Sequence, residues 1–246
     1  MLCSISRALR QPLGGAGRSL RAGNASGIVQ NGTNGGATVT QAGADNDSAI
    51  DQDGADNVAT SVQNGDGSIS RIAQGDIGGG SSNTADVEQN GANDSFVGQG
   101  TGNGNTATVV QTNTGGDANT SNVAQGDDVP GDNNTANVAQ TGTGNSSNVT
   151  QFSGDQGERG GDFESEANGW IGGDNFGSIS QIGADNESFL RQGGDLNEAN
   201  VTQTGDFNFS EIGQGGQNNA ATVSQTDDEN VATVFQDGGD NGATAT

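Results

Sequence analysis

Glutamine recurs along this chain every eleven residues: Gln30, Gln41, Gln52, Gln63 and Gln74 fall in step, as do Gln181, Gln192, Gln203, Gln214, Gln225 and Gln236. A fixed period constrains a fold more than any motif, because each repeat must form one equivalent structural unit. Aligned on those glutamines, the unit reads Asn-x-[Ala/Ser]-x-[Val/Ile]-x-Gln-x-Gly-x-x. It can be placed about seventeen times if the spacing loosens between Gln74 and Gln151.

The residue two before Gln is aliphatic in nearly every unit and forms the candidate core: Val39, Ile50, Ile72, Val87, Val109, Val138, Ile179, Leu190, Val201, Ile212, Val223 and Val234. Ser61 is the clear exception. Four before Gln stands a small residue, and six before it Asn in most units. All these positions share one parity, which is the mark of a β-strand with one face turned inward. Asn, Ala/Ser, Val/Ile and Gln then point in, while Thr, Ser, Asp and Glu between them point out. Seven such residues span about 23 Å. Gly follows two past Gln, as at Gly43, Gly54, Gly183 and Gly194, with Asp or Asn beyond it, which suits a tight turn at positive φ.

The small residue alternates, Ser26, Ala37, Ser48, Ala59, Ser70, Ala85 and onward to Ser188, Ala199, Ser210 and Ala221, so the full period is twenty-two. Two non-equivalent strands per period predict an all-β fold, a two-sheet β-solenoid of about nine coils, each made of two strand-turn units. At about 4.8 Å per coil the rod would be on the order of 40 Å long.

One unit buries little more than a Val and an Ala, far too little to offset ordering eleven residues of backbone, so no unit folds alone. Stability must come from neighbours, through backbone hydrogen bonds along the stack and ladders of inward amides. The amides expected to set register are Asn46, Gln52, Asn57, Gln63, Asn186, Gln192, Asn197, Gln203, Asn208, Gln214, Asn219, Gln225, Asn230 and Gln236. Repeats held by copies of themselves have the same reason to bind another chain at their ends. The segment Asn241 to Thr246 begins a further strand in register and is expected to leave such an edge open.

Three regions depart from the period. Residues 1–23 hold Arg7, Arg10, Arg18 and Arg21 and no acidic residue; they read as a basic leader or targeting segment, or as a misassigned start, unstructured and with no intact secretion signal. The repeat region runs from 24 to 246, with an irregular segment at about 152–174 that includes Trp170. The Ser/Ala alternation needs an odd number of steps across that segment, met by one long loop or by two degenerate strands; the latter is favoured because long structureless loops are uncommon. The longer corners after Gln74, Gln111 and Gln125 read as insertions that leave register intact.

Enzymatic chemistry finds no foothold. The chain has no His, and its one Cys, Cys3, lies in the leader, so no nucleophile-base pair and no thiolate or imidazole metal cage can be assembled from the repeats; no catalytic residue and no cofactor is expected. A formal net charge of -24 disfavours nucleic acid as a partner. No stretch reaches the length of a transmembrane helix.

The spacing Gln-x-Gly-x-x-Asn-x-Ala-x-x-x-Gln, intact at Gln192, Gly194, Asn197, Ala199 and Gln203, and with Ser at Gln41, Gly43, Asn46, Ser48 and Gln52, resembles the curlin repeat. The resemblance covers nearly everything from Asn24 to Thr246. It implies a curli-like solenoid, a subunit of an extracellular bacterial amyloid fibre that polymerises with itself for adhesion and biofilm matrix. It further implies a nucleator and an outer-membrane secretion channel as partners. The chain departs from that family in its greater number of units, its acidity and the absence of an evident Gln-rich N-terminal segment.

Two other readings compete. Acidic corners at Asp45, Asp56, Asp185, Asp195, Asp206 and Asp240 resemble Ca²⁺ columns, but nonapeptide-repeat solenoids step by nine with Gly-Gly-x-Gly-x-Asp, which does not recur here. Outward Thr pairs such as Thr38 and Thr40 suggest an ice-binding face, yet equivalent outward sites hold Asp51, Asp86, Glu88, Arg191 and Glu211.

Overall fold

The computed structural model describes residues 14–19, 23–75, 80–126, 131–152 and 172–246. Its strands alternate along the chain between a ten-stranded and a nine-stranded sheet, and every pairing within them is parallel and joins strands one coil apart. This is the two-sheet β-solenoid that the period requires. The alternating small residue assigns each strand to its sheet. Ala37, Ala59, Ala85, Ala107, Ala136, Ala199 and Ala221 lie in the larger, hereafter the Ala sheet, and Ser48, Ser70, Ser95, Ser121, Ser147, Ser188 and Ser210 in the smaller, the Ser sheet.

Between the sheets lies a single column of apolar residues. Every aliphatic position named above, from Val39 and Ile50 to Val223 and Val234, is buried there, with Ala side chains packed beside them. Ser61 interrupts the aliphatic column without leaving an orphan: its hydroxyl accepts from Ser48 Oγ across the core at 3.0 Å. The core is one side chain thick per sheet, which is why glutamine and asparagine can be buried in it only if their amides find partners.

Insertions at the corners do not disturb register. Glutamine stacks on glutamine across each long corner, Gln74 on Gln99, Gln111 on Gln140 and Gln125 on Gln151. The segment after Gln151 behaves likewise, which corrects the expectation of two degenerate strands. Strand Thr135–Thr143 pairs directly with Phe176–Ala184, and Ser146–Phe152 with Glu187–Gly193, so no coil intervenes and the gap is crossed in one step. The coil-to-coil bonds already made by both partners leave no slot in either sheet for an added strand. The expected irregularity over 153–171, Trp170 included, lies outside the described residues; Gly172–Gly173, at its end, pairs with Gly131–Asp132 in a small sheet at the same corner.

The leader is not wholly without structure, contrary to the expectation for residues 1–23. Gly14–Ser19 forms a strand parallel to Gly36–Ala42 at the edge of the Ala sheet. Residues 1–13 and 20–22, and with them most of the leader, lie outside the described residues.

Most of the described corners turn through two positive-φ positions. Gly43, Gly183 and Gly205 have φ of 111, 128 and 116°, and a Cβ on Gly183 would stand 2.0 Å from Gly205 O in the next coil. Two residues past such a glycine the left-handed conformation is taken by Asp45, Asp56, Asp185 and Asp240, but also by Leu196 and Phe207 at φ 56 and 59°. Stacking imposes the turn there, since left-handed backbone costs a non-glycine residue about 1–2 kcal/mol. Leu196 is 55% exposed, so its side chain recovers little of that cost. Leu196→Gly is therefore expected to raise stability, whereas Gly183→Ala is expected to lower it by at least about 1–3 kcal/mol. Urea unfolding midpoints check both, and equal midpoints for the two variants would contradict the account.

Candidate functional site

The sequence pattern points to the stacked amides and the sheet edges they reach. In the Ala sheet Gln41 donates from Nε2 to Gln63 Oε1 at 2.9 Å, Gln63 to Gln89 at 3.0 Å, and the relay runs on through Gln111, Gln140, Gln181 and Gln203 to Gln225. In the Ser sheet it runs from Gln30 through Gln52, Gln74, Gln99, Gln125, Gln151, Gln192 and Gln214 to Gln236, with spacings of 2.7–2.9 Å. Every rung points the same way, from the earlier copy to the later.

Glutamine reaches this position because it is the longest uncharged side chain with both a donor pair and an acceptor. Its second N–H crosses the core to the first carbonyl of the opposite strand: Gln52 Nε2 donates to Gly36 O, Gln203 to Glu187 O and Gln214 to Glu198 O, at 2.9–3.2 Å. Each glutamine thus links three strands, its own, the copy above and the facing sheet.

Asparagine forms a second pair of ladders with different chemistry. Asn186 Oδ1 accepts from the backbone N–H of Asn208 and from its Nδ2, both at 3.0 Å, and Asn197 Oδ1 accepts likewise from Asn219 at 3.1 and 3.0 Å. Asn46 Oδ1 accepts from Ser68 N, and Asn57 Oδ1 from Asn83 N, both at 2.9 Å. Here the later copy donates to the earlier, opposite to glutamine. Nδ2 also ties each coil to the next corner, as from Asn46 to Gly65 O and from Asn186 to Gly205 O.

The side chains singled out in the sequence are thereby located. Asn46, Gln52, Asn57, Gln63, Asn186, Gln192, Asn197, Gln203, Asn208, Gln214, Asn219, Gln225 and Gln236 are buried in these ladders, and Asn230, whose N–H donates to Asn208 Oδ1, is partly exposed at the last coil. Period alone did not reveal that the asparagine rungs use backbone donors, which include Ser68 N–H where serine stands in the asparagine position.

The acidic corners divide into two kinds. Asp66, Asp195, Asp206 and Asp228 each accept a backbone N–H from the preceding coil, from Ala44, Gly173, Ala184 and Asp206 at 2.6–2.8 Å. Asp45, Asp56, Asp185 and Asp240 instead occupy the positive-φ position. The two kinds sit at different places in the turn, and among the described residues no three His, Cys, Asp or Glu side chains converge to hold a metal ion. The outward face of the Ala sheet stacks Thr38, Thr60, Asp86, Thr108, Asn137 and Ser178, too uneven to template an ice lattice.

Asp86 and Glu88 face outward two residues apart on the strand Thr84–Asn90. Partial desolvation, and then the Glu88 charge, raise the Asp86 pKa above the usual carboxylate value. A raised folded pKa favours the native state at low pH, and that contribution is lost as pH rises from the ordinary carboxylate range through the raised value. Across that window Asp86→Asn is expected to blunt the gain in melting temperature on acidification; parallel profiles for variant and wild type would refute it.

Gln203→Leu tests the ladder. It would orphan the Gln181 Nε2 donor, the Gln225 Oε1 acceptor and Glu187 O, at about 1–3 kcal/mol per buried group. The outward neighbour Thr202→Val should stay within about 0.5 kcal/mol of wild type. Denaturant unfolding measures both, and an unchanged Gln203→Leu midpoint would show that bulk apolarity suffices.

Residues 172–205 and 194–226 match the curlin associated repeat, in two overlapping stretches. No curated protein matches the chain. Among the described residues no helix is long and apolar enough to cross a membrane.

Proposed function

From the premise that this chain belongs to the curlin-repeat family, we propose that it is a structural subunit of a curli-like extracellular amyloid fibre at the bacterial surface, polymerising with itself for adhesion and biofilm matrix. The observation that carries this reading is the directional relay of the ladders. Each coil offers the next the same parallel strand pair, glutamine donors and asparagine acceptors that it meets on the coil before. A coil of a second copy continues the stack by the same bonds that join coils within one chain, which is strand addition at a sheet edge. Because every rung of a ladder points the same way, a reversed copy would set glutamine donor against donor and asparagine acceptor against acceptor. Growth is head to tail.

The role is structural rather than enzymatic: the core glutamines beyond the first coil are spent on one another and on the backbone. A nucleator and an outer-membrane secretion channel are the partners that the family implies. The Ca²⁺ alternative has less support, since four of the corner carboxylates already accept backbone N–H groups.

Purified full-length protein at neutral pH is expected to form thioflavin-positive fibres with a meridional reflection at about 4.7–4.8 Å. With a formal charge of -24 per copy, assembly should quicken as salt screens repulsion between chains. A soluble β-rich species that stays monomeric at high salt would overturn the fibre reading.

A further inference from the structure

We infer that the leader strand Gly14–Ser19 is a displaceable cover on the N-terminal edge of the Ala sheet, and that a second copy's strand Gly242–Ala245 competes for the slot it occupies. The inference rests on the polymerisation reading above and adds to it a gate.

The competition follows from strand order. Strands alternate between sheets from Gly14–Ser19 in the Ala sheet and Ala25–Gln30 in the Ser sheet to Val231–Gln236 in the Ser sheet and Gly242–Ala245 in the Ala sheet. A head-to-tail join that extends the Ser-sheet relay sets Gln236 of one copy against Gln30 of the next. Between those two coils the Ala sheet has room for one strand. Two claim it: Gly242–Ala245 of the first copy and Gly14–Ser19 of the second.

The leader is the poorer occupant. Its register sets Gly15 over Ala37, Gly17 over Val39 and Ser19 over Gln41, so glycine stands at both apolar positions and serine at the glutamine position. Gly242–Ala245 sets Ala243 on Ala221 and Ala245 on Val223 within its own chain, and in the shared slot it would bring a methyl group to each apolar position where the leader has none. Beneath the leader, Gln41 Oε1 is buried with no hydrogen-bond partner, alone among the glutamine side-chain atoms of the described residues. The edge is covered without being completed. A cover of this kind lowers the fraction of edges open to a second copy, and apparent affinity falls by that fraction.

Three full-length proteins test this: wild type, the leader double variant Ala16→Pro/Gly17→Pro, and the variant Gly17→Val/Ser19→Gln. Proline at adjacent positions removes the N–H groups of both strand parities and so releases the leader. The second variant gives the leader the residues of a true repeat. Thioflavin lag time and seeded growth rate are read for each, with amide hydrogen exchange at Gly36–Gln41 in the monomer. The proline variant is expected to lose protection at that edge and to assemble with a several-fold shorter lag; the Gly17→Val/Ser19→Gln variant should gain protection and assemble several-fold more slowly. Fibres forming at equal rates from all three would overturn the gate while leaving polymerisation intact, as would protection lost without change in rate. Slower assembly of the proline variant would show the leader to be part of the fibre and overturn it too. Absence of any cross-β fibre from wild type would remove the polymerisation reading and the gate together.

Discussion

The structure depends on one interaction, the side-chain amide that satisfies itself against its own copy. A core only one aliphatic residue deep cannot exclude water by bulk, and a buried amide in such a core is costly unless every donor and acceptor is paired. Gln203 shows how this is met: it accepts from Gln181, donates to Gln225 and reaches Glu187 O in the facing sheet. The same constraint makes sequence divergence at the glutamine position expensive, since each copy serves both neighbours. It leaves the outward positions free to vary, which is why Thr60 can stack against Asp86 and Phe189 against Glu211.

Much of the architecture was legible because inward positions obey two nested periods. Parity located the core, and the Ser/Ala alternation sorted strands between sheets before any pairing was known. The remainder was hidden for physical reasons. The connection after Gln151 satisfies the same alternation with one step or three, and the direct rungs from Gln140 to Gln181 and from Gln151 to Gln192 distinguish them. Leu196 and Phe207 carry no turn signal, because the corner conformation is dictated by the coils on either side rather than by the residue that adopts it. The leader strand has no repeat residues at all; backbone pairing with an open edge is indifferent to side chains, and Gly14–Ser19 exploits that indifference.

The candidate site was readable in its membership but not in its wiring. Asn46, Asn57 and Gln52 announce themselves by spacing, and nothing in that spacing reveals that asparagine works chiefly as an acceptor for the following coil's backbone while glutamine bonds side chain to side chain. The shorter side chain bonds both its copy's amide and the main chain at the turn. Length of one methylene thus separates a corner clamp from an interior relay.

The opposed senses of these ladders bear on how long such a rod can grow. Amide dipoles aligned head to tail add along an axis, as they do in an α-helix, and leave charge at its ends. Here the glutamine columns direct their N–H groups toward the C-terminal coil, while the asparagine columns direct their carbonyls there. Parallel strands contribute little net dipole of their own. The end of the rod therefore presents the same set of amide donors and acceptors whatever the number of coils behind it, while the charge of the outward carboxylates accumulates along its length.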